Sequence, residues 1–255
     1  MQFLLWLAVV PSIIIGLLIY KADRVEKEPK KELIKAFLMG ILSVIFTLLF
    51  SWIFGIMKLE YESLDSIGVL LYSFIGVALI EEFSKWLATK LFISKNKNFN
   101  YLFDGIVYAT FISLGFATIE NILYTLTGGV ITGLVRAVVT VPGHVFYAIY
   151  MGYYLSKAKE SKIANNRNNY LMYTILSIIV PTILHGTFDA LLLLQKPILL
   201  IVFLFFVVFL YVISIRKVKE LAKKEKLFIN KKVNYCSNCG AKAYGNFCSS
   251  CGKKL

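Results

Sequence analysis

The sequence predicts an all-α polytopic membrane protein: a bundle of about seven transmembrane helices followed by a small C-terminal zinc-ribbon module. Three observations carry that reading. The 255-residue chain is 58% hydrophobic, with a mean hydropathy of +0.71, and its apolar residues come in blocks of about 20 rather than short periodic stripes. Basic residues rise and fall from one loop to the next. All four cysteines lie in the last 20 residues as two CxxC pairs. A net charge of +13 would fit a nucleic-acid binder, but its lysines and arginines sit in loops and near the C-terminus, where membrane topology places them. No nucleic-acid partner is expected; the lipid bilayer is.

The predicted spans are 3–20, 34–57, 67–93, 104–126, 131–155, 170–194 and 197–215. The first has no basic n-region and no small-residue cleavage site, so it reads as a retained helix. Gln195-Lys196-Pro197 separates the last two as a tight turn, with Pro197 suited to a first helical position. Lys21, Arg24, Lys27, Lys30, Lys31 and Lys35 fill the first loop, whereas the second has only Lys58 beside Glu60, Glu62 and Asp65. The same contrast repeats along the chain, which places the N-terminus outside and the C-terminus in the cytosol. Residues 1–215 therefore form the bundle, 216–232 a basic linker and 233–255 the cysteine module. Pro142-Gly143 before His144, and Pro181 four residues before His185, read as helix breaks. Gly129, Gly133, Gly105, Ala109 and Ser113 read as close-packing positions.

Charged residues inside the apolar blocks are the functional signal. Glu81-Glu82-Phe83-Ser84-Lys85 stands within the third span, where each buried charge costs roughly 2.5–3.5 kcal/mol. On a helix Glu81 and Glu82 both adjoin Lys85, and paired carboxylates at low dielectric suit a general base. A buried ion pair holding the bundle together is the structural alternative. His185 and Asp189 share a face at i, i+4, so Asp189 can orient the imidazole. His144, the only other histidine, has no acidic neighbour on its own helix. Glu120 can serve as a second acid or a ligand, and Asn121 as an oxyanion donor; Arg136 can pair with Glu120 or snorkel to the interface.

The order EExxK, FxxxEN, H and HxxxD on successive helices resembles the PrsW-type intramembrane proteases, relatives of the CAAX prenyl endopeptidases. Here those motifs are Glu81-Glu82-Phe83-Ser84-Lys85, Phe116-Ala117-Thr118-Ile119-Glu120-Asn121, His144 and His185-Gly186-Thr187-Phe188-Asp189. Asp23-Arg24-Val25-Glu26-Lys27-Glu28-Pro29 is similar to the loop after that family's first helix. The resemblance covers roughly residues 1–215. It implies hydrolysis of a peptide bond in a membrane-anchored protein such as an anti-sigma factor. Carried onto this chain, Glu81, with Glu82, activates water, while His144, His185 and Asp189 position it, hold a metal or stabilise the oxyanion. His144 and His185 are the candidate ligands of a membrane metal. Glu120 stands where the CAAX branch has a histidine, so that branch's metal site does not transfer directly.

A polar-cored transporter or channel, and a non-catalytic receptor whose tail recruits a cytosolic protein, are the other classes open to this chain. In the tail, Cys236, Cys239, Cys248 and Cys251, each pair followed by glycine, suit tetrahedral zinc on the cytosolic side, where disulfides are rare. Zinc there is structural and would supply the folding free energy of so short a module.

Overall fold

The computed structural model describes residues 1–23, 26–223, 234–240 and 242–243. Among the described residues, six helical runs are long and apolar enough to cross a membrane: Gln2–Ala22, Lys30–Ile53, Ser66–Lys95, Leu102–Ile163, Arg167–Leu193 and Pro197–Lys223. These comprise α1 (Gln2–Ala22), α2 (Lys30–Ile53), α3 (Ser66–Leu71), α4 (Ile80–Lys95), α5 (Leu102–Val138), α6 (Thr140–Ile163), α7 (Arg167–Leu193) and α8 (Pro197–Lys223). Outside the helices, the described residues hold one antiparallel pair of two-residue strands, Asn234–Tyr235 with Lys242–Ala243.

The first half of α5 is the centre of the bundle. From Leu102 to Thr118 almost every residue is buried, and α1, α2 and α6 pack around it. Small residues make this possible, because helices in lipid gain by close backbone approach rather than by burying apolar surface. On α1 the buried stripe Ala8, Ser12, Gly16 repeats every fourth residue; Ser12 receives the Thr118 hydroxyl at 2.8 Å. On α2, Gly40 lies so close that a Cβ would come within 1.9 Å of the Ile112 carbonyl oxygen. Gly105 and Gly152 make the equivalent contact between α5 and α6.

Three local features differ from the sequence reading. Gly129 is not a packing glycine: its φ of 77° and ψ of −166° break the run, and nothing lies within 4 Å of its Cβ position. Residues 130–138 fold back beside 120–128, with Gly133 against Thr125 and Arg136 against Asn121. Pro142 does not kink a helix. The break falls at Val139 (φ −118°, ψ −60°), and Pro142 occupies the first turn of α6, where its missing N–H costs nothing. Pro181 lies inside an uninterrupted α7. The turn at Gln195 (φ 51°) and the start of α8 at Pro197 agree with the sequence. Of the two readings open for the basic stretch from Arg216, lying on anionic lipid or continuing the last helix, residues 216–223 take the second, as part of α8.

The first loop is anchored by acids rather than left in solvent. Asp23 and Glu28 are buried with Asp104 of α5. The Glu28 N–H donates to Asp23 Oδ2 at 3.2 Å, and the Tyr108 hydroxyl donates to Glu28. Asp104 Oδ2 accepts the N–H groups of Asn100 and Tyr101 at 2.7 and 2.6 Å, capping α5. Burial raises the Glu28 carboxyl well above the usual carboxylate range, with Asp104 and Asp23 adding to the effect and the Tyr108 hydroxyl opposing it.

Candidate active site

The charged residues of four membrane helices meet in one buried network. Immediately before the paired glutamates, Tyr72–Leu79 is wound as a π-helix, a rare, wider turn that is frequent at functional sites. It leads into α4, whose first turn carries Glu81 and Glu82. Lys85, one turn on and 1% exposed, is the hub. Its Nζ lies 2.6 Å from Glu82 Oε1, 3.5 Å from Glu81 Oε2 and 3.2 Å from His144 Nδ1. It also sits over the Phe116 ring, 4.5 Å from the centroid. Removing such a charge from water is costly, and only this density of partners offsets it.

From the hub the network runs two ways. On one side, His185 Nδ1 is 2.9 Å from Glu82 Oε1 and Nε2 is 3.4 Å from Asp189 Oδ2. Both ring nitrogens thus face carboxylates. On the other side, His144 Nε2 is 2.7 Å from Glu120 Oε2, and Arg136 Nη2 is 3.2 Å from Glu120 Oε1. An ammonium can only donate, so Lys85 makes Nδ1 of His144 the acceptor; Nε2 then carries the proton and donates it to Glu120. The two imidazoles lie 5.5 Å apart, centroid to centroid.

The sequence-selected residues fall into three groups. Glu81, Glu120 and His144 each offer a ligand atom, all within 4.8 Å of one another. Glu81 Oε2 is buried and has no hydrogen-bond partner among the described residues, the condition of an atom awaiting water, proton or metal. Glu82, His185 and Asp189 form a second group, already engaged with one another. His185, expected as a ligand beside His144, belongs here, because each of its nitrogens faces a carboxylate; among the described residues, Glu81 and Glu120 take its place in the metal-capable group. Asn121 stands apart from both. Its amide nitrogen donates to the Ala8 carbonyl at 2.8 Å and its oxygen accepts from Arg136 Nε at 3.0 Å, so it faces α1 and braces Arg136 instead of offering a donor to the pocket.

Tyr147 was not singled out by sequence. It stacks on His185 at 4.8 Å, and its buried hydroxyl has no partner among the described residues. Its signal was present: three residues after His144, it shares that residue's helix face. Arg136 matters more than its position near a helix end implied. It rides on the folded-back 130–138 segment, sits 4.2 Å over the Tyr124 ring and neutralises Glu120 from outside.

In the tail, the described residues around the first cysteine pair form a tight turn. The Gly240 N–H donates to the Cys236 carbonyl at 2.8 Å, the Asn238 N–H points at Cys236 Sγ at 3.4 Å, and Gly240 has φ 69°. Cys248 and Cys251, the other half of the expected ribbon, lie outside the described residues, as does the expected partner surface.

Residues 28–215 match the family described as PrsW family intramembrane metalloprotease. The chain is 36% identical over 226 residues to Protease PrsW of Clostridioides difficile (strain 630), covering 86% of this chain and 92% of that protein. It is 36% identical over 192 residues to Protease PrsW of Geobacillus kaustophilus (strain HTA426), covering 74% and 79%. Against Protease PrsW of Bacillus subtilis (strain 168) identity is 33% over 212 residues, covering 83% and 92%. No solved structure matches the chain.

Proposed function

The chain belongs to the PrsW family of intramembrane metalloproteases, and from that premise we propose that it cuts a peptide bond of a single-span membrane protein, of the anti-sigma-factor kind, with Glu81 as the base that takes a proton from water. The observation carrying this is that Glu81 offers a carboxylate oxygen within 4.8 Å of ligand atoms on Glu120 and His144, while its buried Oε2 has no hydrogen-bond partner among the described residues and has Lys85 Nζ at 3.5 Å. The relatives' name supports hydrolysis over the transporter and receptor readings.

The donor set fits the metal that the family description implies. One imidazole and two carboxylates converge, an oxygen- and nitrogen-rich set suited to a divalent cation with an open position. Charge supports it too. Glu81, Glu82, Glu120 and Asp189 face only Lys85 and Arg136 as permanent cations within the described network, which is two positive charges short. Glu120 and His144 would hold the ion, His144 through Nε2 with its ring proton moved to Nδ1 and the ion in place of the Nε2–H···Glu120 bond, and zinc there would make a bound water more acidic and polarise the scissile carbonyl. The protein's own groups do the rest. Lys85 holds Glu82 in place at 2.6 Å and lies 3.5 Å from Glu81. Asp189 and Glu82 orient His185, which can return a proton to the leaving amine. The Tyr147 hydroxyl beside His185 is the group available to donate to the developing oxyanion.

The reading includes seven spans. At about 1.5 Å per residue the Leu102–Ile163 run would be roughly 93 Å long, about three hydrocarbon cores, and the fold-back at Gly129 divides it into two crossings. With the basic loops cytosolic, the N-terminus is outside and the C-terminus inside. The Cys236–Cys239 knuckle, with Cys248 and Cys251, binds a structural zinc and can offer a cytosolic partner its surface.

The test is processing of a single-span reporter in proteoliposomes, with metal content measured on the same preparations. Glu81→Gln should abolish cleavage with its ion retained; His144→Ala should lose both. Cys236→Ser should lose a separate zinc and leave cleavage intact. Cleavage by Glu81→Gln at the wild-type rate would overturn the assignment.

A further inference from the structure

We propose that the groove between α1, α6 and α8 is a binding site for one anionic phospholipid. The groove has a volume of about 800 Å³ and lies on the opposite side of α6 from His144's network, walled by Ile14 and Leu18 of α1, Val145 and Phe146 of α6 and Ile215 of α8. Its length identifies the occupant. Along α1 it runs from Val10 to Ala22, about 18 Å at 1.5 Å per residue. That matches one leaflet; a crossing helix needs about 30 Å. Tyr211 marks the deep end, where its hydroxyl donates to the Val138 carbonyl at 2.6 Å.

The other end is basic. Lys21, in the last turn of α1, and Lys219 of α8 both line it and are exposed. A second cavity of about 320 Å³, lined by Ala22, Val218, Lys219, Ala222 and Lys223, shares Ala22, Val218 and Lys219 with the groove and continues it outward. Among the described residues no carboxylate lines either cavity; nearby Asp23 is buried and engaged by the Glu28 N–H, and Glu220 is exposed on α8. An apolar slot of leaflet depth ending in three lysines complements two acyl chains joined to a phosphate.

Ser214 supplies an independent observation. It is fully buried, lines the groove, and its Oγ has no hydrogen-bond partner among the described residues. Five residues before Lys219, it lies about 7.5 Å deeper along α8. At that depth below a phosphate a phospholipid presents its ester carbonyls, which would accept the Ser214 hydroxyl.

The experiment uses the full-length protein in detergent, with phosphatidylglycerol and phosphatidylcholine as probes, reading retained lipid by native mass spectrometry and protection by thermal melting. Each lysine at the head group should favour the anionic lipid about fivefold, so the Lys21/Lys219 pair gives roughly 25-fold. Lys21→Gln/Lys219→Gln should remove that roughly 25-fold preference, with melting in the absence of lipid unchanged because both side chains are exposed. Should the double variant fold poorly, Lys21→Gln and Lys219→Gln separately should each remove about fivefold. Ser214→Ala should weaken both lipids alike. Equal retention of the two lipids by the wild type, or an anionic preference untouched by the lysine variants, would overturn the proposal. So would displacement of the lipid by one single-span peptide per chain, which would make the groove a helix site, or equal protection by soluble glycerol phosphate.

Discussion

Glu81 and Glu82 are neighbours in sequence and opposites in environment, so replacing each should produce a different defect. The Glu82 side chain is 1% exposed, 2.6 Å from Lys85 Nζ and 2.9 Å from His185 Nδ1. Glu82→Ala leaves a buried ammonium and an imidazole facing a vacated space. Breaking a buried pair in this way costs about 3–5 kcal/mol, and at roughly 2–4 °C per kcal/mol for a chain of this size the melting temperature should fall by about 6–20 °C. Glu81 is 13% exposed, and its Oε2 sits 3.5 Å from Lys85 Nζ with no hydrogen-bond partner among the described residues. Glu81→Gln keeps its shape and removes no hydrogen bond from that oxygen, so stability should change by no more than about 1 kcal/mol. Cleavage should fall at least 10²- to 10⁴-fold, the usual contribution of a positioned base. Melting of both purified variants in detergent, beside processing of a single-span reporter, checks this. Wild-type melting for Glu82→Ala, or the same combination of defects in both variants, would refute the division of roles.

Three further outcomes follow from the same geometry. Gly40→Ala and Gly115→Ala would put a Cβ within 1.9 and 2.0 Å of the Ile112 and Phe37 carbonyl oxygens, forcing α2 from α5; each should cost about 1–3 kcal/mol or more in a melting assay where Gly16→Ala, with its nearest contact at 3.6 Å, is silent. The Glu28 carboxyl is held up to about 9 by burial, so the fold keeps a proton that an unfolded chain releases near about 4.3. Stability should therefore fall as pH rises between those values, and Glu28→Gln should flatten the fall when melting is followed across it; an unchanged slope would show that Glu28 is not the group. Tyr147→Phe should lower kcat by about 10²-fold with KM little changed, and a variant as fast as wild type would remove Tyr147 from the mechanism.

How much of this was legible in the chain differs by residue. That the chain carries several membrane-capable helices was readable because the bilayer imposes a length and tolerates few charges, while the predicted spans 104–126 and 131–155 fall in the single run Leu102–Ile163, so among the described residues six runs stand where seven spans were expected. Glu81, Glu82, Lys85, Glu120, His144, His185 and Asp189 were readable for the converse reason: a charge inside an apolar block is too costly to be incidental. The Pro142 and Gly129 readings went astray because proline and glycine mark a break without saying which kind. Proline serves a first turn as well as a kink, and glycine serves a left-handed bend as well as a close contact. Asn121 looked like a member of the site through being next to Glu120, yet adjacent residues on a helix point about 100° apart, and that turns its amide to α1.

The sequence by itself determined a multi-span helical bundle, the set of ionisable groups buried in it and the family to which they belong. The tertiary structure alone decided how that set divides: His144 with Glu81 and Glu120, His185 with Glu82 and Asp189, Lys85 between them, and the Tyr147 ring stacked on His185 with its hydroxyl unbonded among the described residues. The physical reason is range. Burial cost acts on each residue where it stands and leaves its mark in composition, whereas a hydrogen bond acts over about 3 Å between atoms that lie as much as 103 residues apart in the chain, and only the packing of α4, α5, α6 and α7 brings them within that distance.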